Sequence, residues 1–184
     1  MRIIAGTARS MPLKTIEGKE TRPTTDKIKE TLFNILQPDI YGCTFLDLFA
    51  GSGQIGLEAV SRGAKFCVFV ENSRKAAACI EDNIKFTKFD DQCRLLPSDA
   101  VSSIHRLNGA YKFDIVFMDP PYDKDLEKEV MFQLAGSDII SEDSIIIIEA
   151  SLNTSFDYLD EYGFEIYKFK KYKTNQHVFI RKKN

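Results

Sequence analysis

From about residue 44 to residue 148, short apolar runs alternate with stretches whose apolar positions recur every three or four residues. Residues 44–49 (Thr-Phe-Leu-Asp-Leu-Phe) and 66–70 (Phe-Cys-Val-Phe-Val) read as buried strands, and 93–96, 113–118 and 144–148 supply three more. Between them, residues 55–62, 73–86, 100–107 and 124–135 carry helical spacing, with Ala76, Ala77, Ile80 and Ile84 on one face of the second stretch. All-apolar strands alternating with helices imply a parallel sheet covered on both faces. The pattern changes after residue 150. Phe164 to Tyr172 and His177 to Arg181 read as antiparallel strands joined near Thr174-Asn175. At the front, Arg2 to Ala5 suggests a short strand and Thr24 to Leu36 a helix, while Phe89 to Asp91 reads as a loop. The chain therefore divides into an N-terminal extension (1–40), an α/β core (41–150) and C-terminal antiparallel strands (151–184), within one domain.

Composition narrows this picture. At 184 residues and 43% hydrophobic, the chain can bury a sizeable core. The longest fully apolar run, Ile145 to Ile148, is far short of a membrane span, and no secretory leader is visible at the N-terminus. The four cysteines (Cys43, Cys67, Cys79, Cys93) lack CxxC spacing and read as reduced thiols of a cytoplasmic protein. Net charge is −2 but unevenly spread: residues 168–184 hold seven Lys/Arg and no acid, and residues 1–30 hold seven against four. If the two ends meet, a basic patch lies on an acidic body and attracts phosphate locally. Lys168, Lys170, Lys171 and Lys173 interleave with Phe169 and Tyr172, aromatics able to stack on bases.

Two motifs carry chemistry. Asp47-Leu48-Phe49-Ala50-Gly51-Ser52-Gly53-Gln54-Ile55-Gly56 joins the first core strand to its helix and satisfies GxGxxG. Asp47 argues against a dinucleotide, because a carboxylate there would repel pyrophosphate. It suits S-adenosylmethionine (SAM), which presents an ammonium and a sulfonium. Glu71, beside Asn72, ends the second strand and could accept ribose hydroxyls. Asp99, beside Ala100, follows the third and could accept the adenine amine. The second motif, Asp119-Pro120-Pro121-Tyr122, follows the strand 113–118. Its prolines donate no N–H, which leaves Asp119 and nearby carbonyls as acceptors beside the tyrosine ring. That set suits a stacked nucleobase held by its exocyclic amine, with Asp119 able to take the departing proton. His105 and His177 stand apart from any Cys or Asp at ligand or triad spacing and read as structural. The acids Asp123, Asp125, Glu127 and Glu129 read as a charged helix start.

Asp47 to Gly53 and Asp119 to Tyr122 resemble the motifs of class I SAM-dependent N-methyltransferases. Three further segments resemble the RsmD family. They are Met1-Arg2-Ile3-Ile4-Ala5-Gly6, the stretch from Thr21-Arg22-Pro23-Thr24 to Leu36, and Gly51-Ser52-Gly53-Gln54-Ile55-Gly56 to Ala64. The resemblance implies a Rossmann-like fold with a mostly parallel seven-stranded sheet. It also implies methyl transfer from SAM, without a metal, to guanine N2 in 16S ribosomal RNA of the small ribosomal subunit or an assembly intermediate. It assigns catalysis to Asp119, Pro120, Pro121 and Tyr122, and the SAM site to Asp47, Phe49, Gly51, Gly53, Glu71, Asn72, Asp99 and Ala100. Arg22 and Thr24 would lie near cofactor or RNA, and the basic hairpin would supply Lys170, Lys171 and Lys173. Gln54 departs from the family's usual Leu. The alternative is a DNA adenine or cytosine amino-methyltransferase, though little chain remains for a separate DNA-reading domain.

Overall fold

A computed structural model describes residues 1–16, 26–122 and 124–183. Five parallel strands form its centre: β1 (Thr44–Leu48), β2 (Phe66–Val70), β3 (Cys93–Leu96), β4 (Phe113–Met118) and β5 (Ile140–Ser151). β7 (Asn175–Lys182) runs antiparallel to β5, and β6 (Phe164–Lys171) antiparallel to β7. The seven strands are ordered β3-β2-β1-β4-β5-β7-β6. Strand order reverses between β1 and β4, so the loops leaving them diverge and open a crevice at the carboxyl edge of the sheet.

Alternation along the strands divides the core between two faces. Phe45, Phe69, Ile115, Phe117, Ile147 and Phe179 fill one, under α1 (Asp26–Ile40), α2 (Gln54–Ser61) and α3 (Arg74–Thr87). Leu46, Val68, Val116, Met118, Ile148 and Val178 fill the other, under α4 (Ala100–Leu107) and α5 (Leu126–Ala135). Both faces are apolar, as β-strands covered by helices require.

Four elements differ from the sequence reading. α1 continues past Leu36 and through Pro38 to Ile40, because fully buried Ile40 anchors its last turn. β5 is longer than residues 144–148. Its start pairs Ile140 with Phe113 across a register shift, where the Ser144 hydroxyl donates to the Phe113 carbonyl, and its end is drawn out by pairing with β7. Asp90–Gln92 forms one 3-10 turn where a loop was expected. Arg2 to Ala5 makes only an isolated bridge, Arg2 to Pro12.

The N-terminal segment is instead held by a buried charge. Glu58 of α2 accepts the N–H groups of Ile4 (2.8 Å) and Ala5 (3.0 Å). It also pairs with Lys29 of α1 (3.3 Å) and Arg62 (2.8 Å). Burial pushes the Lys29 ammonium below its ordinary pKa, and Glu58 opposes that shift. The described N-terminal residues lean on α2 and α3, where Lys14 pairs with Asp82, and Arg2 pairs with Asp26. β6 lies at the edge of the sheet remote from β3. Arg2, Lys14 and Lys29 are thus paired with acids, while the lysines of β6 are exposed.

Removing the central acid tests this clamp. Glu58→Ala leaves Lys29 buried without its counter-charge and should cost about 3–5 kcal/mol in urea unfolding, a buried half-pair being costlier than an exposed one. Glu58→Gln, which keeps an acceptor for the N-terminal N–H groups, should cost less.

Candidate active site

The carboxyl edge of the sheet collects the chemistry-bearing residues because each apolar strand ends on an acid or a turn. β1 and β2 pair Leu48 with Val70, β1 and β4 pair Leu48 with Met118, and β4 and β5 pair Met118 with Ile148. The next residue of each strand therefore falls in one row: Glu71, Phe49, Asp119 and Glu149. β7 extends that row with His177, the partner of Glu149.

The turn after β1 is shaped by its glycines. Gly51 has φ +58° with open space where a side chain would project, so ligand and backbone can approach closely. Gly56 serves packing: an added Cβ would stand 2.3 Å from the Phe69 ring, so only glycine lets α2 lie this close to β2. Asp47 is buried beneath the turn and accepts the Gly56 N–H (2.9 Å). Burial raises its pKa to about 7, the hydrogen bond from Gly56 works against this, and Glu71 adds a smaller push upward. Glu71 fixes the turn from the other side, accepting Gly51 N–H and Ser73 N–H at 2.8 Å each. Each oxygen of Glu71 retains a second lone pair for a ligand hydroxyl.

A cleft of about 280 Å³ opens beside this turn, walled by Phe49, Val70, Val101 and Val130, with Glu71, Asn72, Asp99 and Ala100 at its rim. Apolar walls with a few fixed acceptors fit a flat aromatic ring carrying hydroxyls and positive charge. Asp99 caps α4 by accepting Ser102 N–H (2.9 Å), and the Ser102 hydrogen bonds hold its carboxyl below the usual range. Of the proposed cofactor residues, Phe49, Glu71, Asn72, Asp99 and Ala100 thus line the cleft. Asp47, Gly51 and Gly53 build the turn beside it. Arg22, Thr24 and Asp123 lie outside the described residues.

Asp119 follows β4 directly, with Pro120 buried and Pro121 and Tyr122 exposed. Its side chain meets solvent in the open crevice, yet protein surrounds it elsewhere. That partial enclosure pushes its carboxyl well above the ordinary range, and Glu149 and Asp47 push the same way. Water in the open crevice moderates the shift.

Two comparisons identify the lineage. A family model described as "Conserved hypothetical protein 95" matches residues 1–181. Ribosomal RNA small subunit methyltransferase D of Haemophilus influenzae is 34% identical over 150 residues, covering 81% of this chain and 78% of its own length. The chain belongs to the RsmD family. A Bacillus subtilis relative named "Putative rRNA methyltransferase YlbH" is 37% identical over 153 residues, 81% of this chain and 82% of that one. The solved structure of the "putative methyltransferase yhhF from Escherichia coli" matches with a TM-score of 0.83 and 29% identity, covering 100% of this chain and 98% of that one. RsmD membership agrees with the resemblance seen in the N-terminal segment and the glycine turn.

Sequence reasoning missed Glu149. Its signal was the same as that of Glu71 and Asp119, an acid directly after a buried strand, here the run Ile145 to Ile148. His177 was read as structural and is indeed fully buried in a strand, but its ring bonds Glu149, one strand away from Asp119. Among the described residues no cluster of His, Cys, Asp and Glu could hold a metal. No helix among them is long and apolar enough to cross a membrane. All four cysteines are free, and burial raises Cys43 and Cys93 to about 12, so both remain thiols.

Asp47 makes stability depend on pH with a definite sign. A carboxyl raised on folding keeps its proton in the native state after the unfolded state has lost it. Stability therefore falls as pH rises from about 4, the ordinary aspartate value, to about 7, the folded value. Asp47→Asn retains an acceptor for Gly56 and should remove this slope, gaining about 1–4 kcal/mol at pH 8 relative to wild type in urea melts.

Proposed function

We propose that the protein is a SAM-dependent methyltransferase that modifies ribosomal RNA of the small ribosomal subunit, at the exocyclic N2 amine of a guanine. Asp119-Pro120-Pro121-Tyr122 carries this reading, because it stands beside a cleft whose walls and acids suit SAM. Relatives named ribosomal RNA small subunit methyltransferase D support RNA of the small subunit as the substrate class.

Phe49 and Val70 would flank the adenine, Asp99 would meet its amine, and Glu71 would hold the ribose. Bound there, SAM supplies an electrophilic methyl group. The remaining work falls to the protein. Tyr122 offers a flat, exposed ring against which a base can stack. Asp119 accepts an N–H of the amine, which draws the nitrogen lone pair out of conjugation and toward the methyl group. Positioning two bound partners accounts for most of the rate. As the new N–C bond forms, the amine nitrogen becomes acidic and Asp119 takes its proton.

The basic hairpin supplies the RNA surface. Lys168, Lys170 and Lys171 on β6 and Lys173 in the following turn are exposed, with Tyr167 and Phe169 exposed among them.

The decisive assay presents labelled SAM to unmodified small subunits, naked 16S RNA and duplex DNA in parallel, followed by nucleoside mass spectrometry. N2-methylguanosine in RNA is expected. Methylated adenine or cytosine in DNA would instead assign the DNA amino-methyltransferase activity.

Asp119→Ala should abolish transfer, by about 10²–10⁴-fold or more. Its SAM affinity, measured by calorimetry, should stay close to wild type. A large loss of SAM affinity would remove Asp119 from the base-binding role. Reversing Lys170, Lys171 and Lys173 to Glu should weaken RNA binding and flatten its salt dependence, by up to about 0.7–0.9 of a log-log slope unit for each phosphate no longer neutralised. An unchanged slope in a salt titration would exclude the hairpin from the RNA surface.

A further inference from the structure

The glycine turn contains one peptide whose orientation the sheet alone does not fix. Gly51 (φ +58°) and Gly53 (φ +79°) stand on either side of Ser52. Glycine passes readily between backbone conformations, so the Ser52 carbonyl between them could face more than one way. Glu71 accepts the Gly51 N–H before it, and Asp47 accepts the Gly56 N–H after it. The Ser52 carbonyl is held instead from α3, by a hydrogen bond from Nδ2 of Asn83 (3.0 Å). At the other end of the same peptide, Gly53 N–H donates to the Ala50 carbonyl (2.8 Å). α3 lies directly against the turn: a Cβ on Gly53 would stand 3.3 Å from Cγ1 of Ile80.

Packing does not explain an asparagine at this position. Asn83 is 1% exposed, inside a helix whose other buried residues include Ala76, Ala77, Ile80 and Ile84. Asparagine is a poorer helix former than leucine or alanine, and a buried amide is costly unless its hydrogen bonds are made. Here they are made. Oδ1 accepts the Lys14 N–H (2.8 Å), and Nδ2 donates to the Lys14 carbonyl (3.2 Å) as well as to that of Ser52. The amide thus pairs with the Lys14 backbone as a neighbouring strand would. Turned over, it would set its nitrogen against an N–H and its oxygen against two carbonyls, so the network admits one orientation. The N-terminal segment therefore aims the donor, and the donor aims the turn. Lys14 is tethered separately through its side chain, which pairs with Asp82 (2.8 Å) on the surface.

We propose that Asn83 is a positioning residue for cofactor binding: its amide pins the Ser52 carbonyl and so holds the turn from Gly51 to Gly53 in the shape that receives SAM. This inference rests on the reading of the turn and its cleft as the SAM site. If the peptide between Ser52 and Gly53 rotates, the carbonyl leaves Asn83 and the Gly53 N–H leaves Ala50. The open side of Gly51, where backbone and ligand can approach closely, then changes shape. A turn that spends time in such states binds its ligand more weakly, in proportion to the population lost. Asn83 does not itself line the cleft, so its effect falls on binding and not on the methyl transfer that follows.

The test compares wild type, Asn83→Leu, Asn83→Asp and Asp82→Ala, each well below its melting transition. Asn83→Leu roughly keeps the side-chain volume and loses its hydrogen bonds. Asn83→Asp keeps the acceptor for Lys14 and loses the donor to Ser52. Asp82→Ala frees the Lys14 side chain and leaves the amide in place. Calorimetry gives the SAM affinity, and hydrogen exchange of the SAM-free protein reports the turn. Single-turnover methylation of small-subunit RNA at saturating SAM reports the chemistry. In both Asn83 variants the Kd for SAM should rise about three- to tenfold, the bias that one neutral hydrogen bond exerts on a two-state turn. The Gly51 and Gly53 amides should exchange about tenfold faster. The rate at saturating SAM should stay within about twofold of wild type. Asp82→Ala should change neither affinity nor exchange of the turn. A residue that served packing alone would lower the melting temperature and leave the affinity of the folded molecules as it was. That result, or an equal loss of affinity in Asp82→Ala, overturns the proposal. If Asn83→Asp does not fold, Asn83→Leu decides alone. Wild type that binds SAM, with both Asn83 variants binding it equally well, refutes the role of Asn83 and keeps the function. Wild type that binds no SAM refutes both.

Discussion

The site depends on an electrostatic constraint: one edge of the sheet collects carboxyls from five successive strand ends or turns. Asp47 and Glu71 are satisfied by backbone N–H groups of the glycine turn and the start of α3. Asp99 is satisfied by the first turn of α4. Glu149 is satisfied by an amide and an imidazole from β7. Dipoles and hydrogen bonds fix these acids in place, so the crevice presents a row of acceptors that a cationic ligand can meet. The raised carboxyls of Asp47 and Asp119 are the visible cost of this arrangement.

The register of the sheet turns that constraint into a site. Because Leu48, Val70, Met118 and Ile148 stand at one level, the residues after them stand side by side. The division of the crevice into two sides then follows from topology. β1 to β3 lie on one side of the reversal in strand order, with the glycine turn and the cleft. β4, β5 and β7 lie on the other, with Asp119, Glu149 and His177. Glu58 ties the N-terminal segment and α1 to α2, and so to the side that carries the glycine turn and the cleft.

Much of this was legible in the sequence because its signals are local. Apolar runs ending in acid, a glycine-rich turn and paired prolines are readable from neighbouring residues, and they marked the strands, the cleft acids and Asp119. What escaped depends on distant pairing. The extension of β5 required β7 as a partner, and the involvement of His177 required knowing that its strand lies beside Glu149, 28 residues earlier. The pairing of the N-terminal cations was hidden for the same reason. Lys29, Lys14 and Arg2 count as basic residues in the sequence, but each is committed to an acid of another element.

The lysines of β6 have a second physical consequence. β6 is the outermost strand, so its free N–H and C=O groups form a template on which another chain could add. A row of ammonium groups makes such addition repulsive between two copies of this protein, while a polyanion still meets the edge favourably. The same charges thus keep the protein from growing a larger sheet with itself. Neutralising them, in contrast to reversing them, would remove the repulsion and leave Tyr167 and Phe169 exposed on a bare edge open to self-association.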